Sequence, residues 1–115
     1  MAYITFSKKK LRKNFNYLNN LFKKKEIQWA IVSKLLCGHK DILRELLSLN
    51  ISQICDSRIS NLRIIKEIKP EIETIYIKPP AKRILKSLVQ YADISVNTEL
   101  QTIKLLSEEA ILLKK

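Results

Sequence analysis

Lys34 carries the most direct chemistry in the chain. It follows the mostly apolar run Ile27-Gln28-Trp29-Ala30-Ile31-Val32-Ser33, which has the composition of a strand. At the C-terminal end of a strand in a parallel sheet, Lys34 would stand where functional groups gather, its ammonium directed into the mouth of the sheet and away from bulk water. The neutral amine of a lysine attacks an aldehyde to form a Schiff base, and desolvation or nearby cations favour that neutral form. A strand-end lysine can instead run its stem along the sheet and keep its charge in solvent. Spacing alone favours that plainer role.

The other reactive side chains are fewer. His39 is the single histidine, so a histidine metal cluster is ruled out and no metal site is expected. Cys37 and Cys55 are too few for a disulfide scaffold and lack metal-ligand spacing. They read as small, partly buried residues rather than nucleophiles. Asp56 and Arg58 follow a second strand, where they could order the rim of a site. Asp56 or Ser57 could equally cap the helix that follows. Asn97 reads first as a helix N-cap and only then as a site residue.

The elements that would position these groups recur along the chain. Strand patterns start near residues 27, 51, 73 and 93, carried by Ile27–Ser33, Ile51–Cys55, Glu73–Ile77 and Asp93–Val96. A helical pattern follows each. The first has Ile42, Leu43, Leu46 and Leu47; the second Ile59, Leu62 and Ile65; the third Ile84, Leu85, Leu88 and Val89; the fourth Leu100, Ile103, Leu106 and Ala110. Thr98-Glu99-Leu100-Gln101 has the form of a capping box for the last of them. Pro79-Pro80 suits a rigid loop entering a helix. Strands alternating with helices predict βαβ units and a parallel sheet. A doubly wound dinucleotide fold would carry a glycine-rich first turn, but Gly38 is the chain's one glycine. The pattern therefore predicts the first four βα units of a (β/α)8 barrel.

Ahead of these units, Leu11, Phe15, Leu18 and Phe22 define one face of an amphipathic helix over residues 7–24, with Ser7 as its cap. Tyr3-Ile4-Thr5-Phe6 could form a short strand before it. The formal net charge is +11, and residues 1–25 contribute +8 of it with eight bases and no acid. Such a segment could contact a phosphate backbone or an anionic surface. No aromatic stacking surface is interleaved with the lysines, so a solvated helix face is preferred and nucleic acid is not the expected partner. No run approaches the roughly 18 apolar residues of a membrane span, and the N-terminus lacks a signal-peptide pattern. The expectation is a cytoplasmic protein without a membrane partner.

Four segments, in order, also carry a resemblance. Tyr3-Ile4-Thr5-Phe6 with Leu11-Arg12-Lys13-Asn14 looks like an entry strand and helix. Val32-Ser33-Lys34-Leu35-Leu36-Cys37-Gly38-His39 is similar to a cofactor-lysine motif. Cys55-Asp56-Ser57-Arg58-Ile59-Ser60-Asn61-Leu62 resembles an Asp-Ser-Arg-Ile-x-Asn segment. Tyr91-Ala92-Asp93-Ile94-Ser95-Val96-Asn97-Thr98-Glu99 resembles a Tyr-Ala-Asp-Ile-Ser-x-Asn-Ser-Glu segment. Together they resemble the alanine racemase-like (fold type III) pyridoxal-phosphate-dependent amino-acid racemases, in the ornithine racemase-like branch. One departure is that Cys37 stands near a tyrosine of the alanine racemases proper, with one residue fewer before Gly38-His39, which argues against alanine as the assured substrate.

The resemblance implies that Lys34 forms the aldimine with pyridoxal 5'-phosphate and serves as a catalytic base. It also implies that Ile77 packs near the cofactor ring; otherwise Ile77 is an ordinary barrel-core residue. The substrate implied is an amino acid such as ornithine or alanine. The phosphate-binding loops, the partner of the pyridine nitrogen and the second base would come from sequence beyond these residues. Residues 1–115 are thus expected to be the N-terminal half of a longer barrel, closed by a missing C-terminal half or a homo-oligomeric partner. Two other readings remain: a catalytically inactive barrel fragment, and a small basic module whose residues 8–25 bind nucleic acid or another anion.

Overall fold

Ser7 does begin the first helix. In the computed structural model, which describes residues 1–115, the Ser7 hydroxyl accepts the Lys10 backbone N–H at 3.3 Å. Helix α1 then runs from Lys8 to Lys24, burying Phe15. Its basic face is partly engaged: Arg12 Nη2 and Lys8 Nζ meet the Glu45 carboxylate at 2.6 and 3.3 Å. Partial burial pushes the Glu45 carboxyl up, but these two cations outweigh it and hold the group below its ordinary value. Tyr3–Phe6 is not a strand; these residues are exposed and pair with nothing.

The remaining elements are β1 (Ile31–Val32), α2 (Lys40–Leu47), β2 (Gln53–Asp56), α3 (Ile59–Ile68), β3 (Glu73–Tyr76), α4 (Leu85–Tyr91), β4 (Ile94–Ser95) and α5 (Leu100–Leu112). One-turn 3-10 helices precede α2 and α4 at Lys34–Leu36 and Lys82–Ile84. The first strand is shorter than its apolar run predicts. Trp29 packs instead against Phe15 and Phe22, with ring centroids 5.6 and 5.3 Å apart, so its side chain serves α1 rather than the ladder. The capping box is not formed either: Glu99 is the N-cap of α5 and makes no side-chain cap bond. Asn97 caps no helix; its amide donates to the Ser95 carbonyl and hydroxyl at 3.1 and 2.8 Å.

The sheet is wholly parallel, in the order β1-β2-β3-β4, with Val32 level with Cys55, Cys55 with Ile75, and Ile75 with Ile94. The order never reverses, whereas a doubly wound sheet changes direction at a switch point. Successive strand residues face opposite sides. Ile54 and Tyr76 join Leu43, Leu46 and Leu47 of α2, Leu62 and Ile65 of α3 and Leu88 of α4 in the core. The helices therefore cover one face. The alternate residues form a second apolar row on the other, where Val32 is 46% and Ile94 41% exposed. The outer edges of β1 and β4 pair with no further strand. This is an α/β parallel sheet consistent with the beginning of a barrel.

No helix is long and apolar enough to cross a membrane.

Candidate cofactor-anchoring site

The parallel ladder continues past the strands and assembles a rim. Ser33 N–H donates to Cys55 O at 2.8 Å, Ile77 N–H to Asp56 O at 3.1 Å, and Val96 N–H to Tyr76 O at 3.0 Å. Lys34, Ser57, Ile77 and Asn97 consequently emerge at the same end of the sheet. Lys34 and Ile77 leave strands two steps apart, roughly 10 Å at the usual strand spacing. Ile77 is half-buried and Lys34 is exposed.

Exposure of Lys34 corrects the expectation that its ammonium leaves bulk water. Four strands make only one wall, so nothing faces it across the sheet. Its ammonium pairs with no carboxylate, the chain's ion pairs being made by Lys8, Arg12, Lys40, Arg44, Arg63, Lys66 and Lys115. A free primary amine on the C-terminal rim fits the aldehyde end of a pyridoxal phosphate. No phosphate cradle accompanies it within these residues: the rim beside it has no glycine-rich loop, and the helix that follows carries Asp41 in its first turn.

The segment bearing Lys34 is held from behind. Ser33 ends the strand and donates its hydroxyl to Asp56 Oδ2 at 2.8 Å, with Cys55 O a second acceptor at 3.2 Å. Asp56 Oδ1 accepts the Arg58 backbone N–H at 3.0 Å, and the Asn61 amide donates to Oδ1 and Oδ2 at 3.1 and 3.2 Å. Asp56 and Ser33 are 0% and 1% exposed. Asp56 thus turns the chain toward α3 and also grips the residue before Lys34, but neither it nor Ser57 is the N-cap of α3, which is Arg58 without a side-chain cap bond. Arg58 is the N-cap of α3, and its exposed side chain makes no ion pair. Ser33 and Asn61 were not singled out by sequence. The signal was there in the adjacency of Ser33 to Lys34 and in the spacing from Asp56 to Asn61, which spans one strand-to-helix turn.

The remaining groups stay outside the chemistry. Burial pushes the Cys55 thiol up, and the neighbouring Asp56 charge adds to it, which disfavours the nucleophilic thiolate. Cys37 is exposed and left-handed at φ 49°, a turn residue. His39 starts α2 without a side-chain cap bond. No group of three metal-ligating side chains occurs. Two cavities, of about 280 and 380 Å³, involve neither Lys34 nor Ile77. The first lies at the opposite end, between α1 and the strand starts, beside Phe15, Trp29 and Gln53; the second lies beneath α5, beside Leu88 and Leu106. Parallel-sheet chemistry belongs to the strand C-termini, so the rim, not the cavities, is the candidate site.

The chain is 38% identical over 112 residues to ornithine racemase of Acetoanaerobium sticklandii. No protein-family model matches it, and no solved structure does. The matched region takes in 97% of this chain and 31% of the racemase, so the chain spans about a third of the length of the curated relative it resembles.

Proposed function

We propose that this chain is the cofactor-anchoring first part of a pyridoxal-phosphate-dependent amino-acid racemase barrel, with Lys34 as the attachment residue and ornithine or a related amino acid as substrate. The similarity to an ornithine racemase over 97% of the chain carries this reading. The unreversed parallel strand order, the free Lys34 amine on the rim and the uncovered apolar row of Val32, Ile75 and Ile94 support it. That row suits the inner face of a barrel, which is packed by side chains.

Pyridoxal phosphate supplies, when bound, an electron sink for the negative charge left at the substrate α-carbon. Lys34 Nζ would hold the cofactor at rest and, once the substrate amino group has displaced it, its freed amine could take or return the α-proton on one side of the substrate. Ile77, half-buried on the same rim, offers an apolar surface against the cofactor ring. The second proton-transfer group and the phosphate-binding groups come from outside these residues, from a C-terminal half or a second copy that completes the barrel.

The test is incubation with pyridoxal phosphate, borohydride reduction and mapping of the adduct by mass spectrometry. Preferential labelling of Lys34 over the sixteen other lysines is expected. Uniform labelling, or none at Lys34 under saturating cofactor, would sink the proposal.

A further inference from the structure

Asp56 is a buried carboxylate without a cation. Burying a charge is costly unless hydrogen bonds replace its hydration, and here four contacts do so. All come from neutral donors: Ser33 Oγ, Arg58 N and Asn61 Nδ2 to each oxygen. The network ties together the end of β1, the end of β2 and the start of α3. Hydrogen bonds to an ionised acceptor are among the stronger ones a protein makes.

The same asparagine backs the far end of the Lys34 turn. Cys37 and Gly38 are both left-handed, at φ 49° and 74°. A Cβ on Gly38 would lie 3.0 Å from Asn61 Oδ1 and 3.1 Å from Ile64 Cδ1, so the turn rests directly on α3. Within it, Leu36 N–H and His39 N–H donate to Ser33 O and Leu36 O at 2.8 and 2.9 Å. The turn is therefore fastened at Ser33 and at Gly38, while the Lys34 amine between them stays unpaired. A lysine that only reaches solvent needs no such frame. An amine that must meet one carbonyl carbon gains from a fixed backbone origin, because misplacement by about an ångström costs orders of magnitude in reactivity.

The geometry points to Asp56, with Ser33 and Asn61, as a positioning device that sets the backbone from which Lys34 reaches the cofactor. This rests on the proposed function, so the experiment has one readout that needs cofactor and one that does not. Ser33→Ala removes a single hydroxyl, Ser33→Thr retains it, and Asp56→Asn retains the shape while removing the charge. The first readout is amide hydrogen exchange at Leu36, Cys37 and His39. Loss of a hydrogen bond to a charged group should raise exchange there at least about tenfold in Ser33→Ala and Asp56→Asn, leaving α5 unchanged. Ser33→Thr should restore protection. The second readout is the yield of borohydride-trapped pyridoxal phosphate at Lys34, which should fall by a similar factor and recover in Ser33→Thr.

Unchanged exchange in both variants overturns the clamp. Raised exchange with undiminished trapping shows that the network orders the turn without serving Lys34, and overturns the positioning role alone. Responsive exchange with no preference for Lys34 in the unsubstituted chain overturns both the positioning role and the cofactor reading.

Discussion

Two aspartates, one at each end of the sheet, are handled in opposite ways. Asp93 precedes β4, its side chain 29% exposed, and carries cations: Lys66 Nζ at 2.7 Å and Lys115 Nζ at 3.6 Å. It also accepts Thr74 N–H and the Thr74 hydroxyl at 2.9 and 3.0 Å. Lys115 further donates to the Val89, Gln90 and Ala92 carbonyls at the end of α4, where the helix dipole favours a cation. Asp56, at the opposite end, is sealed in and meets only neutral donors. The N-terminal end of the sheet is built to tie elements together with charge. The C-terminal end achieves order without spending a cation, which leaves Lys34 free. In barrels the N-terminal end serves stability and the C-terminal end chemistry, a division that the two aspartates would follow under the proposed function.

The contrast can be broken by substitution. Asp56→Ala should have the largest effect, about 3 to 5 kcal/mol in urea unfolding, because it strands three donors, two of them buried. A loss below that of Asp93→Ala would reverse the comparison. Gly38→Ala should cost about 1 to 2 kcal/mol, from the left-handed backbone and the close approach of Asn61. Its cost should shrink in an Asn61→Ala background if the contact matters, as a double-mutant cycle would show. Asp93→Asn should cost about 1 to 2 kcal/mol at neutral pH, since solvent screens part of each ion pair.

That third effect depends on pH with a definite sign. Burial pushes the Asp93 carboxyl up, but the Lys66 ammonium and the Thr74 N–H and hydroxyl outweigh it and hold the group below its ordinary value of 3.8. A carboxyl depressed on folding stabilises the protein above its unfolded value and loses that contribution as pH falls through the folded one. Unfolding at pH 7 and near pH 3 should therefore show a smaller acid loss for Asp93→Asn than for the unsubstituted chain. An identical loss would remove Asp93 from the acid response. Lys34→Ala should have the smallest effect on stability, within about 0.5 kcal/mol for an exposed, unpaired side chain, while abolishing labelling at that position. A larger destabilisation would mean that Lys34 is structural after all.

Much of this was legible in sequence. The period of Leu11, Phe15, Leu18 and Phe22 marks α1, and Ser7 caps it as read. The third and fourth strands lie inside their expected runs, the second is displaced to Gln53–Asp56 and ends one residue beyond its run, and the lone glycine rules out a dinucleotide-type first turn. Local pattern determined these features because helix faces and strand runs follow from spacing over a few residues. Lys34 as a reactive candidate was likewise visible from its place after an apolar run.

Only the tertiary structure decided the rest. Residues 27–30 have strand composition, but Trp29 leaves the ladder for Phe15 and Phe22. Thr98–Gln101 has a capping pattern that the chain does not use, and Asn97 turns back to Ser95. Above all, Ser33 and Asp56 are 23 residues apart, and Asn61 lies beyond them on a helix. Their meeting depends on the register of β1 against β2, a non-local pairing that no short window contains. The sequence by itself marked Lys34 as a candidate, from its place after an apolar run; register and helix packing decided that its backbone is held and its amine left unpaired.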